Sequence, residues 1–515
     1  MHAADLQAVF KKERTQFQIL EAGFGAGEKF FAACACWQAT AKQGSRLHYF
    51  AIEPYPQTRA LLYKILADKF SATEKLAAIA GQLIAHWPPA IEGFHTLELA
   101  PDLLLTLVFG ERENYLPEIA GEFDLIYGDP AFVAASRLTA TTKPSPQQAM
   151  VIGAGIAGAG VARALARRGV AVTVLERDTP ASGGSGNPIA VVRAEPGGAH
   201  NPVTTLTAAG IIWLMSWMAQ HGQAIPHDFC GAIRLTRDEL RHRKLAQHAK
   251  RIPADWLNEL TQDQASQLSG HLVADPGFLL PYAGWLQPTA LVRSLLDHPL
   301  ITVRSGVQVH ALKKIADDKW HILLTDSDSD TDTNARSQNN QLTTGCVVLA
   351  SAFAAGLSPV ELAIDSARGQ LSYLPQRADR QLNKIICRDG YVTPAYNGLH
   401  TIGATIQKDD DDRFARAADD AENFLRLQRL LPGFAQDAAQ LQSGRVAWRA
   451  VTQDRLPIVG GIAPGLYGSL AHGARGITCA PLCGEWLAAM IMGEVLPLPA
   501  IWQRLLDPLR FAVKI

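Results

Sequence analysis

Three glycines open the chemistry of this chain. Gly153, Gly155 and Gly158 stand in G-x-G-x-x-G spacing within AMVIGAGIAGAGVARALARRGVAVTVLERD, Ala149–Asp178. The first glycine of such a set permits a tight turn. The second lets backbone approach a pyrophosphate, and the third lets a helix pack on the preceding strand. The free N–H groups at the start of that helix then face the phosphates. Glu176 ends the second apolar run, where a carboxylate takes ribose hydroxyls. An acid at that place favours an unphosphorylated ribose, hence FAD or NAD rather than NADP.

Two further glycine sets have chemical spacing. FQILEAGFGAG places Glu21 before Gly23, Gly25 and Gly27. It resembles the first motif of S-adenosylmethionine-dependent methyltransferases, whose loop wraps the methionine moiety. Glu53, after the strand Leu47–Ile52, would take that cofactor's ribose, and Asp129 follows the apolar strand 123–127. Near the other end, GSLAHGARGITCAPLCGE reads as a strand, a turn with Gly473 and Gly476, and a helix. The N-terminus of that helix would stabilise negative charge on a cofactor ring.

The elements that must hold these residues follow from the patterning. Ala149–Asp178 reads strand, turn, helix, strand. Residues 179–202 form a long Gly/Ser/Asn-rich loop beside the cofactor turn, and that position argues for a functional loop. Residues 237–251, RDELRHRKLAQHAKR, form a basic helix, either a solvated face or a phosphate-contacting one. GWLQPTALVRSLL reads as a turn and amphipathic helix with Pro288 in its first turn. Residues 326–344 are polar and lack apolar periodicity, as in a disordered hairpin tip. Residues 386–406 alternate as a hairpin of a β-rich domain, with Tyr391 in a tight turn. Only four or five strands precede residue 131, too few for a complete doubly wound domain.

Composition bounds the rest. The chain has 515 residues, 48% hydrophobic and 19% charged, with a formal net charge of −1. That length allows two or three domains with real cores. The charge provides no global basic field for nucleic acid, though a local patch is allowed. Seven cysteines in so long a chain are not a disulfide framework. Cys34/Cys36 and Cys479/Cys483 lack partners for a metal quartet, so no metal is expected. The opening MHAADLQAVFKKERTQ has no signal-peptide core, and no apolar run is read as approaching a membrane span. A cytoplasmic protein is expected.

Residues 149–500 resemble the D-amino-acid-oxidase-like flavoproteins. The resemblance rests on the Gly153–Gly158 motif with Glu176, Arg368-Gly369-Gln370, the run from Arg449 to Pro457, and His472-Gly473-Ala474-Arg475-Gly476. Within that superfamily, ASGGSGN, DFCGAIRL, GWLQP, DGYVTP, RAVTQDRLPIVG and GARGITCAPLCGE resemble the C-terminal domain of the MnmC family. Its members are bifunctional enzymes of tRNA wobble-uridine modification. The N-terminal strings LEAGFGAGEKFF, LHYFAIEPYP, AHWPPAIEGFHTLEL and LTLVFGE are similar to the methyltransferase domain of the same family. The expected fold is α/β plus α+β. An FAD-binding Rossmann-type domain with a β-rich substrate domain spans 149–515, after a truncated Rossmann-like methyltransferase domain at 1–132 and a linker at 133–148. FAD-binding parts are expected at about 149–230, 345–372 and 440–500, and substrate-binding parts at about 231–344 and 373–439.

The resemblance implies FAD-dependent removal of the carboxymethyl group from 5-carboxymethylaminomethyl-(2-thio)uridine in tRNA, giving the aminomethyl nucleoside and glyoxylate. It places FAD on Gly153, Gly155, Gly158, Glu176, Ser182, Gly183, Asn187, Gly473, Gly476 and Ile477. Related amine oxidases hold the substrate carboxylate with arginines where Arg449 and Arg475 stand. The alternative for Arg449 is an ion pair with Asp454. Tyr391 is a candidate lid or amine-positioning hydroxyl, or else a core tyrosine. S-adenosylmethionine is carried onto Gly23, Gly25, Gly27, Glu53 and Asp129. After Asp129, however, GDPAFVAASR replaces the family's substrate-side segment and the following strands, so a complete methyl-transfer site is not carried over. The implied partner is tRNA, with neither DNA nor membrane, and a monomer is expected. The alternatives are an oxidase of a free small amino acid such as glycine or sarcosine, and a non-catalytic tRNA-binding scaffold.

Overall fold

The computed structural model describes residues 3–69, 74–135, 145–198, 201–326, 341–353 and 356–511. The centre of the expected linker, 136–144, and of the expected hairpin tip, 327–340, lie outside the described residues. The chain forms two compact units. The first comprises Met1–Pro146, Ile212–Gln223 and Glu485–Leu505, and the second Gln147–Ile211, Ala224–Gly484 and Leu506–Ile515. The sequence reading assigns 212–223 and 485–505 to the 149–515 domain.

The first unit is built on a five-stranded sheet. Its order is Gly93–Ala100, Leu103–Phe109, Arg46–Glu53, Gln16–Ala22, Leu125–Tyr127. All neighbours are parallel except the first pair. Arg46–Glu53 is buried along its whole length, as a central parallel strand with both faces covered must be. The sheet ends at the short strand Leu125–Tyr127. Its core is completed by residues remote in sequence: Leu20, Phe50, Ile52, Val108, Ile119 and Phe132 form one buried cluster with Val495.

The fit is close. A Cβ on Gly121 would lie 2.7 Å from the Val495 Cα. The Leu496 N–H donates to the Ala120 carbonyl at 3.1 Å, and the Ala500 N–H to that of Glu118 at 2.7 Å. The Thr96 hydroxyl donates to the Pro497 carbonyl at 3.1 Å. In the 212–223 segment, Ser216 Oγ accepts the Glu98 N–H at 3.1 Å, and His221 Nε2 lies 2.8 Å from Glu98 Oε1.

The second unit carries two main sheets. One has six strands, ordered Ile301–Arg304, Ala171–Leu175, Gln148–Ile152, Val347–Leu349, Leu466–Leu470, Ile458–Ala463. All its pairs are parallel except the last. The other has nine strands, and Asp365–Pro375 and Gln442–Val451 form its longest pairing. Ile233, Leu235, Ile386, Val392 and Ile402 on its back face pack with Leu427 and Leu430 of helix Ala417–Leu430. A smaller antiparallel sheet holds Val307–Ala316, Lys319–Asp326 and Gln341–Thr344.

One expectation needs correction. Pro202–Ala224 is 23 residues long and apolar enough to cross a membrane by length and composition. It reads differently in the fold, because 67% of its most apolar window is buried inside the protein and Trp213 and Trp217 are fully buried. The interrupting Thr, Ser and Gln residues hide the run from a search for uninterrupted apolar sequence.

Two outcomes follow for the first unit. Residues 1–146 produced alone should lack a native core, with weak amide dispersion and dye-binding apolar surface. A dispersed NMR spectrum of that fragment would contradict the borrowed-core arrangement. Separately, His95 is buried with a ring nitrogen 2.7 Å from the Ile91 carbonyl, and burial holds its pKa down to about 4. A histidine kept neutral in the native state takes up a proton on unfolding. Its stabilising contribution is therefore complete above the unfolded pKa near 6.5 and is lost as pH falls from there towards 4. Denaturant titrations of wild type and His95→Phe across that range should show a shallower acid loss in the variant.

Candidate active site

The glycine turn has no room for side chains. Gly153 sits at φ +104°, and a Cβ there would lie 2.8 Å from the Ala350 carbonyl oxygen. A Cβ on Gly158 would overlap the Gly153 carbonyl, and one on Gly160 would lie 3.0 Å from the Pro481 Cα. Gly155 is the N-cap of helix Ile156–Ala166, whose first-turn N–H groups have no partner within the helix. Glu176 closes the turn: one carboxylate oxygen accepts the Ala154 N–H at 2.7 Å and the other the Asp178 N–H at 3.0 Å. Each oxygen keeps a lone pair for a ribose hydroxyl. Tight turn, open helix start and fixed carboxylate together fit an FAD adenosine diphosphate.

The loop after Glu176 is held by a residue the sequence reading passed over. Arg445 donates to the Ser182 and Gly183 carbonyls at 2.5 Å each and to Asn187 Oδ1 at 3.2 Å. Ser185 was also missed. Its Oγ accepts the Ile156 N–H at 3.0 Å, joining the loop to the helix start. Strand alternation could have found Arg445, which lies four residues from Arg449 on the same strand and therefore on the same face.

That face is the front of the nine-stranded sheet. Tyr391 registers with Gly403, Gly403 with Leu371, and Arg449 with Ala367. Directly opposed residues share a face, so these positions line one surface. Glycine makes room on it. A Cβ on Gly369 would overlap the Arg449 guanidinium, and one on Gly403 would lie 3.7 Å from the Tyr391 hydroxyl. Arg449 donates to the Thr405 carbonyl at 3.3 Å and has no carboxylate partner among the described residues. Desolvation lowers its pKa, and it lies close enough to Tyr391 for each to influence the other's charge. Burial pushes the tyrosine up to about 12, so it is a neutral hydroxyl at physiological pH. The alternative partner for Arg449 is engaged elsewhere, since Asp454 pairs with Arg510 at 2.8 Å.

The back of the same strand explains Arg368-Gly369-Gln370. Arg368 is fully buried and donates to Asp419 at 2.7 Å and to the Asp412 and Phe414 carbonyls. Gln370 donates to Asp420 at 2.9 Å. These two side chains fasten helix Ala417–Leu430 while the glycine between them leaves the front clear.

At the closing turn, Ala471 and Gly473 have positive φ, and helix Gly476–Met492 begins beside the first helix. A Cβ on Gly476 would lie 3.5 Å from Ile156 Cγ2. The two helix starts thus adjoin, and Ile477 follows in the first turn. Arg475 faces a carboxylate of this chain, with its Nε 3.6 Å from Glu195 Oε1 and without a hydrogen bond. Glu195, absent from the sequence reading, is also bound by Arg193 at 2.9 Å. His472 lies beside them. Its Nε2 is 2.9 Å from Ser469 Oγ, its buried Nδ1 has no partner among the described residues, and burial holds its pKa down to about 4.

The first unit repeats the acidic-turn geometry. Gly23, Gly25 and Gly27 all have positive φ, as alternate positions of a wrapping loop require. Glu53 accepts the Gly25 N–H at 2.8 Å and the Tyr55 N–H at 2.9 Å. The pocket beside it is lined by Gly23, Lys29, Arg112, Tyr127 and Asp129, among others. Asp129 is engaged by Arg112 at 2.7 Å and by the Phe132 N–H at 2.8 Å.

Comparisons with known proteins agree with this geometry. The FAD dependent oxidoreductase family model matches residues 148–490. The chain is 32% identical over 579 residues to a Thiobacillus denitrificans protein named tRNA 5-methylaminomethyl-2-thiouridine biosynthesis bifunctional protein MnmC, covering 97% of this chain and 91% of that one. The protein of that name from Aromatoleum aromaticum is 33% identical over 592 residues, with the same coverage. Glycine oxidase from Geobacillus kaustophilus superposes with a TM-score of 0.59 at 18% identity, covering 70% of this chain and 98% of that one. Iminodiacetate oxidase from Chelativorans sp. BNC1 does so with a TM-score of 0.58 at 20% identity, covering 70% and 98%. This chain belongs to the FAD dependent oxidoreductases and, among them, to the MnmC bifunctional family.

Proposed function

We propose that the second unit removes the carboxymethyl group from 5-carboxymethylaminomethyl-(2-thio)uridine at the wobble position of tRNA, an oxidation at a CH–NH bond. The observation that carries the substrate side is Arg449, a guanidinium set into the sheet face with no carboxylate partner among the described residues. An arginine fork binds both oxygens of a carboxylate. Tyr391 beside it supplies a neutral hydroxyl for the amine nitrogen. The sheet face thus holds the arm at both polar ends, and holding a reactant in place is most of what this chemistry asks of a protein. FAD, when held by the residues named below, would supply the hydride acceptor for oxidation of the methylene between amine and carboxylate. The resulting substrate imine takes up water and separates into aminomethyluridine and glyoxylate. Gly153, Gly155, Gly158 and Glu176 hold the adenosine end of the cofactor. Ser182, Gly183 and Asn187, tied down by Arg445, cover it. Gly473, Gly476 and Ile477 face the ring end, and Arg475, oriented by Glu195, adds positive charge there.

For the first unit, we propose binding of S-adenosylmethionine without methyl transfer. The retained glycine loop and Glu53 support binding. The capture of Asp129 by Arg112 and the Phe132 N–H, together with the sheet ending at Leu125–Tyr127, supports the loss of the acceptor side.

Purified protein given tRNA that bears the carboxymethylaminomethyl group should release glyoxylate and leave aminomethyluridine, read by mass analysis of wobble nucleosides. Turnover of free glycine or sarcosine with none of the tRNA would favour the small-amine oxidase instead. Arg449→Met should keep the yellow flavin spectrum while kcat/KM falls about 10²-fold or more, on the scale of a buried charge pair losing one partner. Loss of colour would make Arg449 a folding residue. Calorimetry should register S-adenosylmethionine binding, weakened by Glu53→Ala. Labelled methyl appearing on aminomethyl-tRNA would overturn the second proposal.

A further inference from the structure

Arg234 occupies a place on the sheet that the proposed reaction does not use. It lies on strand Ala232–Leu235 and registers with Cys387, which registers with Tyr391. It therefore stands on the substrate face, two strand spacings or roughly 10 Å from Tyr391. Arg234 is half-buried and makes no ion pair or side-chain hydrogen bond among the described residues. Glu195 is close enough to feel its charge, but that carboxylate is already bound by Arg193 at 2.9 Å and faced by Arg475 at 3.6 Å. Among the described residues, one carboxylate among three guanidiniums leaves two positive charges without a counter-charge. Partly desolvated cations in such excess are costly unless an incoming anion completes them.

The same row continues away from Tyr391. Arg234 registers with Phe278, and Phe278 with Glu259. His242 of helix Glu239–Ala249 covers this end, 5.1 Å from the Phe278 ring and 2.9 Å from Glu259. Along and just beyond that helix, Lys244, Lys250 and Arg251 are exposed and without ion pairs among the described residues. Arg234 thus stands on the substrate face between Tyr391 and the end covered by this cationic helix.

We propose that Arg234 binds a phosphate of the nucleotide that carries the carboxymethylaminomethyl arm, and so selects a nucleotide-borne glycine over a free one. The inference rests on the tRNA reading above. The arm has a single carboxylate, which Arg449 takes. The next anion within reach across a pyrimidine is the phosphate of the same nucleotide, and a guanidinium fork matches it.

The test uses anaerobic flavin reduction by the holoenzyme with two substrates, 5-carboxymethylaminomethyluridine and its 3′,5′-bisphosphate. Wild type should prefer the bisphosphate at least tenfold in kcat/KM. Arg234→Gln should lose that preference while reducing flavin with the nucleoside as wild type does, and Arg234→Lys should retain part of it. An undiminished preference in Arg234→Gln overturns the proposal. So does an equal loss with both substrates, which would make Arg234 structural. If wild type reduces flavin with neither substrate but does so with free glycine, the tRNA reading itself fails. That result is distinct from a normal wild-type preference that ignores Arg234.

Discussion

The second unit depends on a backbone-to-backbone contact around helix Ile156–Ala166. Gly158 abuts the Gly153 carbonyl on one side. On the other, a Cβ on Gly484 would lie 2.6 Å from the Gly160 carbonyl carbon, and Gly160 itself meets Pro481. Helices approach this closely only where side chains are absent. The contact brings the starts of Ile156–Ala166 and Gly476–Met492 together, although more than 300 residues separate them. Two helix starts then converge on one place, and the positive ends of two helix dipoles there favour electronegative groups.

The nine-stranded sheet divides its labour by alternation. Odd positions of the string around Gly369 face the substrate side, and even positions face helix Ala417–Leu430. Arg368 makes four hydrogen bonds and the Gln370 side chain three on the back, so the strand cannot slide without exposing buried charge. Register fixed from behind is what places Arg449 over Gly369 and Tyr391 beside Gly403 in front. The two arginines of neighbouring strings thus have opposite fates. Arg368 is saturated by its own chain, while Arg449 is left open to a ligand.

The first unit shows how a shortened sheet persists. Five strands with an apolar face would be unstable in water. Val495 joins the buried cluster on that face, and the 212–223 segment is tied to the edge strand at Glu98. Its Glu53 and the second unit's Glu176 make the same pair of backbone contacts, one to the glycine loop and one two residues ahead. Two unrelated glycine turns have reached one solution for fixing a carboxylate.

Much of this was legible in the sequence. Glycine spacing, strand–turn–helix order and the terminal acids are local features, set by backbone sterics over a few residues, so both glycine turns and the family could be read directly. Arg449 and Tyr391 were legible as residue types in recognisable strings. What the sequence could not determine was partnership. Whether Arg449 or Arg510 takes Asp454 and whether Arg475 meets Glu195 are settled by the packing of loops and turns far apart in the chain, and which face Arg234 shares is settled by strand register. The borrowed core of the first unit is likewise invisible, because nothing local in 485–505 marks it as belonging to strands near the other end of the chain. Local conformational preference wrote the turns into the sequence, and only long-range packing decided which charges were left without a counter-charge and therefore available for binding.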